Sequence, residues 1–341
     1  MLITIAILAL VVIAEPSLPP AGIAQVGVTC PVCHHSFEAF AIEETNQAAG
    51  VDRDLFARAI GPQPEFYRVS TCPDCLYSGY LSDFADDAVV PPFVVEQVQQ
   101  AGHLTRPPGF TPDSGPRDID ASTRYALAIQ CYEWRQASDE ALAWLHLRAS
   151  WVVRDMAAVV PRDDRLDRVI HFAQRWRPTG TPDRNPAEDE LTMVTAAAVA
   201  AAEGRFTRFQ EPFVRFFIAM LLRRHGENRH AATRLEALAQ DPLLPEPLCA
   251  AATRMTDSIE AEQRHQRQAL SHFERALLAE EIAPANRAAA AYLAAELCRR
   301  LGREREAMRW FDGALADESL PAELRRWANE QRTAIARPEP Q

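Results

Sequence analysis

A mainly α-helical chain with a small α+β module near its N-terminus is what this sequence predicts, and three observations predict it. Two Cys-Pro-x-Cys pairs, Cys30/Cys33 and Cys72/Cys75, stand close together early in the chain. From Ile119 onward, apolar residues recur at three- and four-residue spacing, the mark of helices with one buried face. One spaced set of small and large apolar residues then returns three times, at a 38-residue step from Ala231 to Ala269 to Ala307.

The bulk numbers fit such a chain. Its 341 residues exceed one compact core and suit two or three folding units. Hydrophobic residues make up 48% and charged residues 24%, a globular composition that argues against wholesale disorder. A formal net charge of −11 argues against global attraction to nucleic acid or anionic lipid. All 36 basic residues are arginine, and no function follows from that. The expected organisation is a targeting segment at 1–24, the cysteine module at 25–105 and a linker at 106–118. A helical hairpin region at 119–180 and helical repeats at 187–337 complete it.

Leu2 to Ala14 is apolar throughout except for Thr4. It is too short to span a hydrocarbon core, which needs about 20 residues, but it suits the apolar stretch of a secretory signal. Small residues at Gly22 and Ala24 permit cleavage before Gln25, and Val12 and Ala14 permit an earlier cut. Only the α-amine supplies the usual basic flank. Export, or a membrane tether through residues 1–14 at the bacterial envelope, is the expectation; the alternative is a cytoplasmic chain whose first residues form a buried element.

In the cysteine zone, Phe37, Phe40 and Ile42 precede a polar stretch. Asp52 to Ile60 reads as a helix with Leu55, Phe56 and Ile60 on its apolar face. Phe66, Tyr67, Val69 and Thr71 read as a strand entering the second cysteine pair. Phe93 to Gln100 suggests a short helix. Arg106 to Asp118, rich in Pro, Gly and Asp, is the linker. Beyond it, Leu127, Ile129, Cys131 and Trp134 mark one helix. Ala141, Trp144, Leu145, Leu147, Trp151 and Val152 mark the next, with Pro161 beyond it. Leu166, Val169, Ile170 and Phe172 mark a third, and Pro178 to Pro186 is a second loop.

The repeated set is Ala231, Leu235, Leu238, then Ala269, Phe273, Ala276, then Ala307, Phe311, Ala314. Gly226 and Gly302 stand where a helix-to-helix turn belongs in the outer copies, and Arg264 takes that place in the middle one. Prolines follow each copy and punctuate it: Pro242, Pro245 and Pro247, then Pro284, then Pro321. Small residues let paired helices approach, and a large apolar residue fills the groove to the neighbouring pair. The expected architecture is therefore a tetratricopeptide-like helical hairpin array.

A Cys-x-x-Cys turn places two thiolates on one side of a tight knuckle, and two knuckles supply four sulfurs at tetrahedral positions. Proline after the first cysteine pre-sets each turn. Cys30, Cys33, Cys72 and Cys75 are thus candidate ligands of a structural Zn²⁺ in a zinc-ribbon-like module, with coordination closed to substrate. Disulfides in an oxidising compartment, or a redox-active dithiol, remain as other uses of the same thiols. His34 and His35 adjoin the first knuckle and read as solvent-facing. Cys131, Cys249 and Cys298 read as small buried hydrophobes.

The stretch from Pro64 to Tyr80, Cys30-Pro31-Val32-Cys33 before it, and Arg124 to Ala128 with Ala141 to Arg154 after it resemble a bacterial family catalogued as domain of unknown function 2225. The resemblance covers roughly residues 28–160. It implies that two Cys-Pro-x-Cys knuckles act together beside a tetratricopeptide-like helical region, and it implies no activity. Family members tend to carry glycine after each knuckle, where His34 and Leu76 stand here.

No metalloprotease, serine-hydrolase, phosphate-loop or dinucleotide-binding fingerprint occurs, so the chain is not expected to be an enzyme. The acidic pairs Glu43-Glu44, Asp86-Asp87 and Asp163-Asp164 read as solvated surface. So do the histidines His225, His230, His265 and His272, and the arginine runs Arg223-Arg224, Arg299-Arg300, Arg303, Arg305 and Arg325-Arg326, which are interleaved with glutamates. The expected role is a non-catalytic interaction scaffold for a protein or peptide partner, with no nucleic acid. A thiol/disulfide redox protein at the envelope and a nucleic-acid-associated ribbon protein are the alternatives.

Overall fold

The computed structural model describes residues 22–100, 102–160, 162–173 and 186–336. The expected tether at residues 1–14, Pro161, and the second loop up to residue 185 lie outside the described residues. Within them, four short strands precede eleven helices. The strands are β1 (Ile23–Thr29), β2 (Ser36–Ile42), β3 (Val69–Thr71) and β4 (Ser78–Tyr80). The helices are α1 (Pro92–Gln99), α2 (Ala121–Trp134), α3 (Asp139–Ala157), α4 (Asp164–Ala173), α5 (Pro186–Ala202), α6 (Glu211–Arg224), α7 (Asn228–Leu238), α8 (Glu246–Leu278), α9 (Pro284–Arg300), α10 (Glu304–Ala316) and α11 (Ala322–Ala336). The chain is mainly α with a small N-terminal β module, as its sequence predicts. No described helix is long and apolar enough to cross a membrane.

The described residues gather into two compact units, each discontinuous in sequence. One is drawn from 22–45, 62–152 and 264–336 and carries both knuckles. The other is drawn from 46–61 and 153–263. Helices α3 and α8 each contribute residues to both.

In the knuckle unit, β1 pairs antiparallel with β2 and β3 with β4. Each hairpin turns through the same words, Thr-Cys-Pro-x-Cys-x-x-Ser: Thr29 faces Ser36, and Thr71 faces Ser78. The position expected for cleavage before Gln25 falls inside β1. Helix α2 is capped by the preceding Asp120, whose carboxylate accepts from the Thr123 N–H and satisfies one free amide of the first turn. From α2, Arg124 donates to the carbonyls of Val69 and Phe66, tying the helix to β3. Asp83 accepts from Tyr132 of α2, from Arg135 just past its end and from the Tyr80 N–H, tying the helix to β4. A β-carbon at Gly79 would collide with that Asp83 carboxylate, so this position needs glycine. Val32, Leu76, Tyr77, Phe84, Val98 and Leu127 close a core around Cys30 and Cys72.

The first and third repeat copies are helical hairpins. Gly226 (φ 81°) joins α6 to α7, and Gly302 (φ 73°) joins α9 to α10. The Glu227 N–H reaches back to the Leu222 carbonyl and the Arg303 N–H to the Cys298 carbonyl, the same glycine-terminated helix end twice. The repeated residues Ala231, Leu235, Leu238 and Ala307, Phe311, Ala314 are all buried. The middle copy departs from expectation. Its Ala269, Phe273 and Ala276 are buried, but α8 runs unbroken through Arg264. Without glycine there, no left-handed residue ends the helix, and Arg264 simply continues it.

The expected helix over Asp52 to Ile60 is also absent. That stretch is irregular, with an isolated bridge between Val51 and Ala57 and a left-handed Leu55 (φ 66°). Asp52, Asp54, Phe56 and Arg58 are buried while Val51, Arg53, Leu55 and Ala57 are not, so the side chains alternate as in an extended segment.

Candidate metal centre

Both hairpins build their turn in one way. The His34 N–H donates to the Cys30 carbonyl and the Cys30 N–H to the His35 carbonyl, each at 2.9 Å. In the second, the Leu76 N–H donates to Cys72 and the Cys72 N–H to Tyr77, again at 2.9 Å. This loop forces the residue after each knuckle into the left-handed region, at φ 62° for His34 and 67° for Leu76. Those are the positions where the resembled family tends to place glycine.

The two turns bring all four predicted sulfurs within 4.8 Å of one another. Cys30 Sγ lies 3.6 Å from Cys75 Sγ, and Cys33 Sγ 3.6 Å from Cys72 Sγ. No disulfide joins them. Four sulfurs at about 2.3 Å from one tetrahedral ion stand about 3.8 Å apart, close to the spacing seen. The donor set also fits. Amide N–H groups of Val32 and Cys33 point at the Cys30 sulfur and that of His35 at the Cys33 sulfur. Hydrogen bonds from Cys72 and Cys75 hold the Cys30 thiol down to about 5, while Cys75 is pushed up by the same contact with Cys30. A thiolate therefore forms readily at one sulfur and at the expense of the next, and a soft cation is what would let all four share negative charge. These residues fit a closed thiolate site for a metal such as Zn²⁺, which would cross-link the hairpins.

Outer partners orient the knuckles. Arg106 donates to the carbonyls of Pro73 and Asp74, and Gln99 donates to that of Val32 at 3.3 Å. Neither residue was singled out in the sequence, and neither lies near its partner in the chain. His34 is exposed, and neither it nor His35 joins the sulfur cluster. Cys131 and Cys298 are buried, and the Cys249 thiol donates to backbone carbonyls.

A second concentration of ionisable groups lies in the other unit. Arg58 makes a two-pronged pair with Asp52 (2.9 and 2.6 Å) and reaches Asp155 at 2.8 Å. Arg154 joins Asp54 at 2.7 Å, Glu262 at 3.2 Å and Asp52 at 3.3 Å. Arg223 pairs with Glu262, and Arg224 with Glu190, which His225 also meets at 3.1 Å. Phe56 carries the guanidinium of Arg58 on its ring, 4.8 Å from the centroid. Burial pushes the Asp52 carboxyl up, but Arg58, Arg224 and Arg154 outweigh it and hold the group well below the usual range.

Expected surface charge is thus corrected at several places. Arg223, Arg224, Arg300 and His225 are buried, because Glu190, Glu262 and Glu296 are buried beside them. In the knuckle unit, His146 Nδ1 lies 3.2 Å from His265 Nδ1 and its ring stacks on His272, whose Nδ1 meets Asp139 at 2.6 Å. Only His230 among the four histidines read as surface is exposed. The acidic pairs Glu43-Glu44 and Asp86-Asp87 do face solvent.

A family model described as "Uncharacterized protein conserved in bacteria (DUF2225)" matches residues 23–259 and 248–335. No curated protein and no solved structure matches the chain.

Proposed function

The chain belongs to the uncharacterized bacterial DUF2225 family, and from that premise we propose a non-catalytic protein-interaction scaffold with a structural Zn²⁺ at Cys30, Cys33, Cys72 and Cys75. The observation that carries the metal part is the convergence of the four sulfurs from two hairpins of identical turn geometry. Four thiolate ligands leave no open position, so the ion would hold the hairpins together and do no chemistry. Two glycine-turned helical hairpins support the scaffold part, since such pairs in repeat proteins present surfaces to peptides. The partner is proposed to be a protein or peptide and not a nucleic acid, given the net charge of −11. The place of action is proposed to be the bacterial envelope, through residues 1–14.

Metal analysis and thiol counting on the full chain, purified under reducing conditions, test this reading. One zinc per chain with four protected thiols supports it. Thiols freely reactive with no bound metal, cycling with a measurable exchange rate, would favour the redox alternative. Affinity capture alongside fractionation from the native bacterium tests partner and compartment together.

A further inference from the structure

The four cysteines are not equivalent. In each knuckle the first cysteine is shut away, with Cys30 and Cys72 both 0% exposed. The second is partly exposed, and both second cysteines, Cys33 and Cys75, line one open cavity of about 620 Å³. Gln99, Thr105 and Arg106 form part of its wall. A closed coordination sphere keeps small molecules off the ion. It does not keep them away from partly exposed cysteines that line a cavity of this size.

We propose that Cys33 and Cys75 form a modification site, the pair of sulfurs that a peroxide-type oxidant attacks first, with each oxidised sulfur then captured by the buried cysteine of the opposite knuckle. This rests on the metal reading above. The partners follow from the separations: Cys33 faces Cys72 at 3.6 Å, and Cys75 faces Cys30 at 3.6 Å. The Cys33 thiolate attacks one peroxide oxygen, the O–O bond breaks, and Cys33 becomes a sulfenic acid with release of hydroxide. The Cys72 thiolate then attacks the Cys33 sulfur, an S–S bond forms, and a second hydroxide leaves. Two thiolates lose two electrons and one peroxide gains them. Only Cys30 and Cys75 would then remain to hold a metal, too few to retain it, yet a covalent bond now joins the same two hairpins. A second peroxide does the same at Cys75 and Cys30. Oxidation thereby exchanges one cross-link between the hairpins for another.

The test uses the full chain with its native metal and hydrogen peroxide as the probe. A chromogenic chelator follows metal release, and alkylation with peptide mapping follows each cysteine in time. Cys33 and Cys75 are expected to react several-fold faster than Cys30 and Cys72, and the disulfides found are Cys33–Cys72 and Cys30–Cys75. First reaction at Cys30 or Cys72, disulfides within a knuckle, or metal and thiols that survive peroxide intact would each overturn the proposal. Thr105→Trp places a large side chain in the cavity wall and is expected to slow the reaction several-fold with metal content unchanged; an unchanged rate counts against it. A chain isolated without metal defeats the zinc reading alone, and the order of thiol oxidation still decides this one.

Discussion

The sulfur centre and the buried carboxylate–arginine network both hold stretches of chain that lie outside helices. Each does so differently. The centre uses four side chains of one kind, at a spacing repeated in two hairpins. The network gathers Asp52, Asp54 and Arg58 from an irregular segment and meets them with Arg154, Glu190, Arg224 and Glu262 from four helices. In the first, one bound ion would carry nearly all the energy. In the second, stability is shared among many pairs, each of which offsets a desolvation cost. The two should therefore fail differently.

Cys72→Ser gives the largest effect. Structural zinc contributes about 10–16 kcal/mol in small modules, so loss of one ligand is expected to abolish metal binding and unfold the hairpins. Helical circular dichroism should largely survive. Retained metal and unchanged stability in this variant would place the energy of the module elsewhere. Asp52→Asn comes next. It strips Arg58 of its two-pronged partner and leaves Arg154 and Arg224 under-compensated, which costs about 3–5 kcal/mol for a broken buried pair. Denaturant unfolding should show that loss while the metal content stays the same. A variant that also lost its metal would break the contrast between the two regions.

These two regions also differ in how far they could be read in advance. A four-cysteine cluster of this kind is a sequence object. The chemistry demands one residue type, and the knuckle fixes the spacing, so Cys30, Cys33, Cys72 and Cys75 were identifiable without coordinates. The helices were legible for a similar reason, since burial of one face imposes a period. Gly226 and Gly302 showed the turns because a left-handed helix end favours glycine. The network has no such grammar. Asp52, Asp54 and Arg58 alternate with part-exposed neighbours, and a polar residue at a buried position looks like a surface residue until its partner is found. Those partners sit on α3, α5, α6 and α8, about a hundred residues or more away in the chain for most pairs. Sequence zones are also consecutive by construction, whereas contacts here gather discontinuous stretches, with 46–61 grouped with 153–263.

Acid should separate the two units by a smaller margin. Burial pushes His146 down to about 3, with the neighbouring His265 and His272 adding to it, and burial pushes His265 down to about 4 with help from Arg264. Asp139 and Arg275 pair with each other beside His272. Both shifted imidazoles are neutral when folded, while the unfolded chain takes up protons below about 6.5. Stability is therefore level above that pH and falls as pH drops from about 6.5 towards 4, by about 1.4 kcal/mol per pH unit for each histidine. The Asp52 carboxyl is held low, so its contribution persists until pH falls below the ordinary aspartate range. Hydrogen exchange at pH 5 against pH 7 should show weakened protection near His146 and His265, with the Asp52 segment unchanged. His146→Leu should reduce the acid slope; an unaltered slope would mean that other groups set it.

The smallest effect compares the two knuckles with each other. His34 and Leu76 both adopt left-handed backbone that costs a non-glycine residue about 1–2 kcal/mol. Glycine relieves that cost and gives back part of it through the freedom it adds to the unfolded chain. His34 is exposed, so His34→Gly loses no packing and is expected to stabilise the metal-bound chain by up to about 1 kcal/mol. Leu76 is 3% exposed and packs in the core around the sulfurs. Removing that side chain costs at least the roughly 2–5 kcal/mol of a buried leucine truncated to alanine, so Leu76→Gly should destabilise despite the same backbone relief. Thermal unfolding of both variants with metal bound decides it. Opposite signs mean that the second knuckle keeps its non-glycine residue because the leucine fills the core, and equal signs mean that the turn itself dominates.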